Sequence, residues 1–136
     1  NTMRMCRTHR MMMLELIEAL YKEGKHDKCL DVLDFAEKML PGYNIPYDYT
    51  SATMASYYYQ LGEMDKANAI MCAVADNCVE YLDWGDSLTK EKRTSAQSTV
   101  GHYMAVLGYV LQNLERYQQN QLFDQYYDIY AQYAMR

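Results

Sequence analysis

Apolar residues recur along the first forty positions with helical spacing, and this pattern predicts two helices joined by a short turn. The first helix is expected over about 3–23 and the second over about 27–40, where Pro41-Gly42 ends it. The apolar stripes consist of Leu14, Ile17, Leu20 and Tyr21 in the first helix, and of Leu30, Leu33 and Ala36 in the second. The run PGYNIPY that follows predicts a linker over 41–48, because Pro46 forces Ile45 into an extended conformation.

Four more helices are predicted beyond the linker. The third is expected over about 49–61, and the fourth begins near Met64 and is unusually long. Its apolar positions continue through Ala75, Val79 and Leu82 as far as Trp84-Gly85-Asp86. The fifth is expected over about 90–114 and the sixth over 117–135. The fold class predicted is therefore all-α, with about six helices.

Two glycines, Gly24 and Gly62, mark an internal repeat of 38 residues. Each follows an aromatic or aliphatic pair, and each precedes a small residue by five positions, Cys29 or Ala67. Glycine can close a helix in the left-handed conformation, and a small residue lets two helices approach closely. The repeat predicts helical hairpins, over about 3–40 and about 49–84. The last pair, over about 90–135, lacks a turn glycine and is either a degenerate hairpin or, as we favour, a capping one.

This spacing resembles the tetratricopeptide repeat (TPR), a helix-turn-helix unit of about 34 residues. The first unit matches its signature at Leu16, Ile17, Leu20, Gly24, Cys29, Leu33, Ala36 and Pro41, and the second at Met54, Ala55, Tyr58, Gly62, Ala67, Met71 and Val74. Cys29 replaces the usual alanine, Val79 stands where proline would close the second unit, and the linker adds four residues to the repeat. The resemblance implies a single TPR-like domain over 1–136, a right-handed stack of antiparallel hairpins.

In TPR arrays the first helix of each hairpin lines an inner groove where a partner binds. The positions of this chain that match the groove are Met11, Leu14, Glu18, Tyr21, Lys22, Tyr49, Ala52, Ser56, Tyr59 and Gln60. Among them Glu18, Tyr21, Lys22, Tyr49, Ser56, Tyr59 and Gln60 are the candidate binding residues. The lysine and asparagine of arrays that clamp a peptide carboxylate are missing from these positions, so that ligand is disfavoured.

A narrower resemblance covers residues 14–90. The runs ALYKEGKHDKCLDVLDFAEKMLPGYNIPYDY, YYYQLGEMDKANAIM and YLDWGDSL look like the soluble C-terminal region of a family of uncharacterised bacterial membrane proteins. The membrane part of that family is similar to protein O-mannosyltransferases. This resemblance implies a domain excised from an envelope protein, on the periplasmic side of the inner membrane, with any glycosyltransferase-like chemistry in the membrane portion. Without it, a cytoplasmic location is expected.

Charge and composition narrow the possible partners. The net charge of −5 argues against nucleic acid, because phosphate neutralisation needs clustered Lys and Arg. The one short basic cluster, Arg4, Arg7 and Arg10, is expected to be a solvated helix face. No run approaches the roughly 18–20 apolar residues of a membrane span, and we expect no direct insertion of this fragment. Because the chain begins at Asn1, we expect a piece of a longer protein.

Residues that could carry chemistry show no catalytic spacing. The four cysteines, Cys6, Cys29, Cys72 and Cys78, have no CxxC motif and are expected to be free thiols, although a Cys6–Cys29 bridge is conceivable in an oxidising compartment. The three histidines fall in separate elements, so neither a metal nor another cofactor is expected. The acidic pairs Glu15/Glu18 and Asp31/Asp34 are interpreted as solvated rather than catalytic. This fragment is predicted not to be an enzyme.

The strongest anomaly of composition is the count of fifteen tyrosines. Such side chains suit protein or sugar interfaces, but they also replace Leu and Phe in a core. In the run Tyr57-Tyr58-Tyr59 we expect Tyr58 in the core, Tyr59 in the groove and Tyr57 facing away from both.

The leading hypothesis is a non-catalytic module that binds a protein or peptide. Alternatives are a structural or oligomerisation domain that packs on its own membrane portion or in a homodimer, and glycan contact through the tyrosine clusters.

Overall fold

A computed structural model describes the chain over residues 2–39 and 49–135, with side chains over 8–38 and 50–135. It is all-helical within these residues. The six helices are α1 (Thr2–Lys22), α2 (His26–Met39), α3 (Tyr49–Gln60), α4 (Met64–Ser87), α5 (Lys90–Arg116) and α6 (Asn120–Ala134). The predicted linker over 41–48 lies outside the described residues.

The chain divides into two compact units, unit 1 (Asn1–Met71) and unit 2 (Cys72–Arg136), and the boundary falls inside α4. In unit 1, α1 packs against α2 and α3, and in unit 2, α5 packs against α6. The prediction of one domain over residues 1–136 stays a prediction.

The hydrophobic core of unit 1 follows the predicted helical stripes. Ile17 of α1 and Leu33 of α2 are fully buried, and Cys29 donates a thiol hydrogen bond to the Ile17 carbonyl oxygen at 3.5 Å. Cys29 and Ala67, the small residues expected at close helix contacts, are both 0 % exposed. Arg10, expected on a solvated basic face, is instead 2 % exposed. The prediction for Arg10 was therefore wrong, because the whole side chain, including the guanidinium group, is withdrawn from water, and it has an interaction partner there.

The two predicted turn glycines have the conformation that the repeat requires. Gly24 has φ +75° and Gly62 has φ +84°. At the first turn, the backbone N–H groups of Gly24 and Lys25 donate to the carbonyl oxygens of Tyr21 and Leu20. The corresponding bonds recur around Gly62. Both turns are Schellman motifs, which satisfy the last carbonyl groups of a helix.

The third turn repeats this hydrogen-bond pattern without glycine. Gln118 has φ +59°, and the N–H groups of Gln118 and Gln119 donate to the carbonyl oxygens of Glu115 and Leu114 at 3.1 and 2.8 Å. A left-handed conformation costs a residue with a Cβ roughly 1–2 kcal/mol. The glycine that would have indicated this turn in the sequence is therefore missing, although the turn has the same hydrogen bonds as the other two. Residues 117–119 lie in the turn, not in α6 as predicted.

Replacing Gln118 with glycine is expected to raise the free energy of unfolding by about 0.5–1 kcal/mol, because glycine removes the left-handed strain but gives up some of that gain as unfolded-state entropy. Urea denaturation followed by circular dichroism measures the change. The matched control is Gln112→Gly, at an exposed site inside α5, where the same substitution should lower stability by about 1 kcal/mol. Two changes of equal sign would contradict the explanation.

In unit 2, α4 continues to Ser87 through Gly85, where the sequence suggested its end. Gly85 is buried, and a Cβ built on it would lie 2.7 Å from Cγ2 of Val100 in α5. Gly85 thus lies inside the helix beside Val100, and a larger residue there would have to displace that side chain. The core of this unit is formed by the fully buried side chains Leu82, Val106, Leu107, Val110 and Leu114.

Candidate functional site

The predicted groove residues divide into accessible and buried sets. Tyr21 and Glu18 are half-buried, and Lys22 and Gln60 are exposed. Ser56 is 8 % exposed and donates its hydroxyl hydrogen to the Thr53 carbonyl oxygen. The side chain of Tyr49 lies outside the described residues. A partner could thus reach Glu18, Tyr21, Lys22 and Gln60, but it could not reach Ser56 without rearrangement.

Tyr59, the groove tyrosine favoured by the sequence, is 2 % exposed. Its hydroxyl group donates a hydrogen bond to Oδ1 of Asn68 in α4. A buried phenol with its polar end satisfied is typical of a packing residue. The burial weighs against a direct role for Tyr59 in binding.

A cluster of three rings lies at the turn end of the first hairpin. Tyr21, in the last turn of α1, stacks on His26 in the first turn of α2, with ring centroids 4.9 Å apart and planes 10° apart. Tyr57 of α3 meets Tyr21 edge to face, at 5.5 Å and 67°. The expectation that Tyr57 faces away from both core and groove was therefore wrong. We call Tyr21, His26 and Tyr57 the aromatic cluster.

Only part of this cluster could have been found in the sequence. The turn at Gly24 brings Tyr21 and His26 together, because α1 ends one residue after Tyr21 and α2 begins at His26. The approach of Tyr57 depends on the packing of α3 against α1, for which no sequence pattern gives the register. The rings of Tyr21 and Tyr57 are half-buried and that of His26 is exposed, so the cluster is partly open to solvent.

Unit 1 also exposes several large apolar side chains. Met12 is 61 % and Leu16 49 % exposed, and the two are neighbours on α1 because they are four residues apart. Phe35 of α2 is 53 % exposed. Met11, which precedes Met12 in α1, is 56 % exposed. A contiguous patch of exposed apolar groups is typical of a surface that another molecule covers, and Met12 and Leu16 form such a pair.

Asp34 of α2 interacts with two polar groups, the Tyr58 hydroxyl of α3 and the Lys66 ammonium of α4. The Tyr58 hydroxyl donates to its Oδ1 at 2.7 Å, and Lys66 approaches the same oxygen at 3.1 Å. Burial, and then the bond to this carboxylate, raise the pKa of Tyr58. Asp34, one of the sequence's candidate acid–base residues, thus binds a phenol and an ammonium group, which is a structural role.

A similar phenol–carboxylate pair occurs in unit 2. Tyr126 is 3 % exposed and donates to Oδ1 of Asp76 at 2.8 Å. Burial is the main reason that the pKa of Tyr126 is raised, and the bond to Asp76 adds to it. Cys72 also bonds to Tyr126, which lowers the thiol pKa, but burial raises it by more.

The described thiols are unactivated. Cys29, Cys72 and Cys78 are all free, so Cys29 does not take part in the conceivable bridge to Cys6. Burial raises the pKa of Cys29, and it raises the pKa of Cys78 to about 12. A thiol with a raised pKa carries little thiolate at neutral pH and is a poor nucleophile.

Unit 2 presents a second aromatic surface. Tyr81 of α4 stacks on Tyr103 of α5 with centroids 4.1 Å apart and planes 4° apart. Trp84, one turn after Tyr81, is 46 % exposed. A shallow cavity of about 290 Å³ lies here, lined by Tyr81, Trp84, Asn77 and Glu80. We call Tyr81, Tyr103, Trp84, Asn77 and Glu80 the stacked surface. It combines flat aromatic rings with an amide and a carboxylate.

Within the part of the chain that the structure describes, no three His, Cys, Asp or Glu side chains are grouped closely enough to hold a metal ion. In the same residues, no helix combines the length and apolarity required to span a bilayer.

The described residues define an all-α fold in which three of the turns between consecutive helices share the Schellman hydrogen-bond pattern. Comparisons with protein-family models, with curated proteins and with solved structures found no match.

Proposed function

We propose that this chain is a non-catalytic module that binds a protein or peptide partner through the aromatic cluster. The observation that carries the proposal is the ring of Tyr21, which is in contact with His26 and Tyr57 yet only partly buried. Rigid aromatic anchors provide large contact areas at low entropic cost, and tyrosine is enriched among the residues that dominate interface energies. Lys22 and Glu18, beside Tyr21 on α1, would contribute polar contacts at the rim.

The architecture that we propose is a right-handed stack of TPR-like hairpins, with the third as a cap. Its support is the recurrence of one turn geometry at Gly24, Gly62 and Gln118. After each turn the same backbone hydrogen bond occurs. The N–H groups of Cys29, Ala67 and Phe123 donate to the carbonyl oxygens of Lys25, Glu63 and Gln119. Hairpins of this kind leave apolar surface for a neighbour to cover.

A non-catalytic role is supported by the state of the titratable groups. The phenols of Tyr58 and Tyr126 and the thiols of Cys29, Cys72 and Cys78 all have raised pKa values. Activated nucleophiles and bases are shifted toward neutral pH, the opposite direction for these residue types.

The proposal predicts that peptides selected from a random display library on the immobilised chain depend on Tyr21. Binding of the selected peptides would be measured by fluorescence polarisation. Tyr21→Ala should weaken it by a factor of about 30 or more, the loss expected for an interface residue that dominates binding. Tyr57→Ala should weaken it less, because Tyr57 acts mainly by fixing the Tyr21 ring.

The matched control is Tyr127→Ala, which removes a tyrosine that is 49 % exposed in unit 2. Its affinity should stay within twofold of the parent, a range of about 0.4 kcal/mol. Failure to select any peptide, or equal affinities for the Tyr21 and Tyr127 variants, would refute binding through the aromatic cluster.

Two alternatives have observations of their own and are separated by further measurements on the same protein. A structural role, with hairpin 1 packed on the membrane portion of its parent or on a second copy, is favoured by the exposed Met11, Met12, Leu16 and Phe35. A dimer of the parent in sedimentation that is lost in Leu16→Glu would support this structural role.

Glycan contact is favoured by the stacked surface. A glycan array on which neither the parent nor Trp84→Ala binds would refute glycan contact.

For location, we propose the periplasmic side of the bacterial inner membrane. The support is the resemblance of residues 14–90 to the soluble part of a membrane protein family, carried most specifically by Ile45-Pro46-Tyr47-Asp48. Sequencing the reading frame upstream of Asn1 tests the proposal: encoded membrane spans would support it, and a start codon immediately before Asn1 would contradict it.

A further inference from the structure

A cavity in unit 2 lies between the end of α4, the first half of α5 and the end of α6. Its volume is about 430 Å³, within the size range of small-molecule sites. The inner wall is apolar, formed by Leu82, Val100, Met104 and Tyr133. None of these residues belongs to the aromatic cluster or to the stacked surface.

Gly85 forms part of the wall of this cavity. A Cβ built on it would lie 2.7 Å from Cγ2 of Val100, which lines the same cavity, so a larger residue at this position would have to displace that methyl group. All the lining residues belong to helices α4, α5 and α6 rather than to a loop.

Charge at the mouth of the cavity differs from the charge of the whole chain. The mouth contains Lys90 and Arg93 against a single carboxylate, Asp86, although the chain carries a net charge of −5. Thr94 and Gln97 add neutral hydrogen-bonding groups on the same helix. The cavity thus combines an apolar interior with a mouth of net positive charge.

Arg93 is held in position at this mouth. Its Nη2 donates to the backbone carbonyl oxygen of Asp86 at 2.8 Å. A guanidinium group has five N–H donors in one plane, so this bond fixes its orientation and leaves donors for a second acceptor. Carboxylates and phosphates match that donor geometry.

We propose that this cavity binds a small amphiphilic anion, with the apolar body against Leu82, Val100 and Met104 and the carboxylate or phosphate group at Arg93 and Lys90. Neither half of the ligand suffices, because the apolar wall supplies most of the buried area while the two cations select the headgroup. The inference is independent of the proposed peptide binding, which involves unit 1.

Isothermal titration calorimetry with octanoate and with octyl phosphate tests the proposal and separates the two headgroups. At least one should bind saturably, while acetate, which lacks the tail, and octanol, which lacks the charge, should each bind at least about tenfold more weakly. In the protein, Arg93→Gln should weaken binding about tenfold, the loss expected for a charge-assisted hydrogen bond. The control Lys92→Gln removes the same charge from the adjacent exposed residue of α5, which does not line the cavity, and should stay within twofold of the parent.

The methyl signals of methionine in NMR spectra show where the octyl anion binds. Titration with whichever octyl anion binds in the calorimeter should shift the methyl signal of Met104 and leave those of Met11 and Met12 in α1 unchanged. The proposal fails if neither octyl anion gives a saturable heat, if Arg93→Gln and Lys92→Gln weaken binding equally, or if the Met104 signal does not move. Circular dichroism of both variants verifies that the helices are intact.

Discussion

Replacing Tyr58 with alanine is expected to lower the free energy of unfolding by about 3–5 kcal/mol, the cost of removing a large aromatic side chain from a core. Tyr58 is 2 % exposed, so its ring is almost completely withdrawn from water. The substitution also leaves Asp34 without the phenol that donates to it at 2.7 Å. Urea denaturation followed by circular dichroism gives the difference.

Tyr58→Phe separates the ring from the hydroxyl group. It keeps the buried ring and should cost only about 1 kcal/mol, because Asp34 is exposed and keeps both Lys66 and water as partners. The surface control Tyr127→Ala should lower stability by less than about 1 kcal/mol. If Tyr58→Ala cost no more than this control, the assignment of Tyr58 to the core would be wrong.

The second large effect is a loss of stability in alkali. In the folded chain burial raises the pKa of Cys78 from 9.0 to about 12, so the folded state holds the thiol proton more tightly than the unfolded state. The resulting stabilisation is complete below pH 9 and is lost as the pH rises toward 12. The free energy of unfolding should fall by about 1.4 kcal/mol per pH unit across this range from Cys78 alone. Tyr58 and Tyr126, whose pKa values are raised above 10.0, should steepen the decline above pH 10.

The measurement is a series of urea denaturation curves between pH 7 and pH 11.5 under reducing conditions. Cys78→Ala removes the titrating thiol at a site that is 1 % exposed, and it should make the decline between pH 9 and pH 11.5 shallower by about 1.4 kcal/mol per pH unit. A parallel decline in parent and variant would mean that the buried thiol does not titrate as inferred.

Most of the secondary structure could be predicted from the sequence. The bounds of α1, α3 and α5 lie within about two residues of the predictions, because apolar stripes and turn glycines are local signals. The errors occurred where the local signal was ambiguous or absent. Gly85 was interpreted as the end of α4 although it lies within the helix, and Gln118 gave no sign of the turn that it forms.

The candidate sites were less predictable. Tyr21 was identified from its position in the repeat, and Tyr58 was correctly assigned to the core. Tyr59 is buried although it was expected in the groove, and Tyr57 contacts Tyr21 although it was expected to face away. The sequence could not indicate this, because the face that a ring presents depends on the rotation of α3 against its neighbours. The cavity at Arg93 had no motif at all, since its lining residues come from three helices.

The sequence by itself determined the six helices, the first two turns and the small residues Cys29 and Ala67 at the helix contacts. These depend on interactions between residues a few positions apart, which leave a periodic pattern. Only the tertiary structure decided that Tyr57 and His26 contact Tyr21, that Tyr59 is buried and bonded to Asn68, and that Gly85 and Arg93 line the same cavity. Such contacts depend on how far one helix is rotated and shifted along another, and side-chain packing between distant segments sets that geometry.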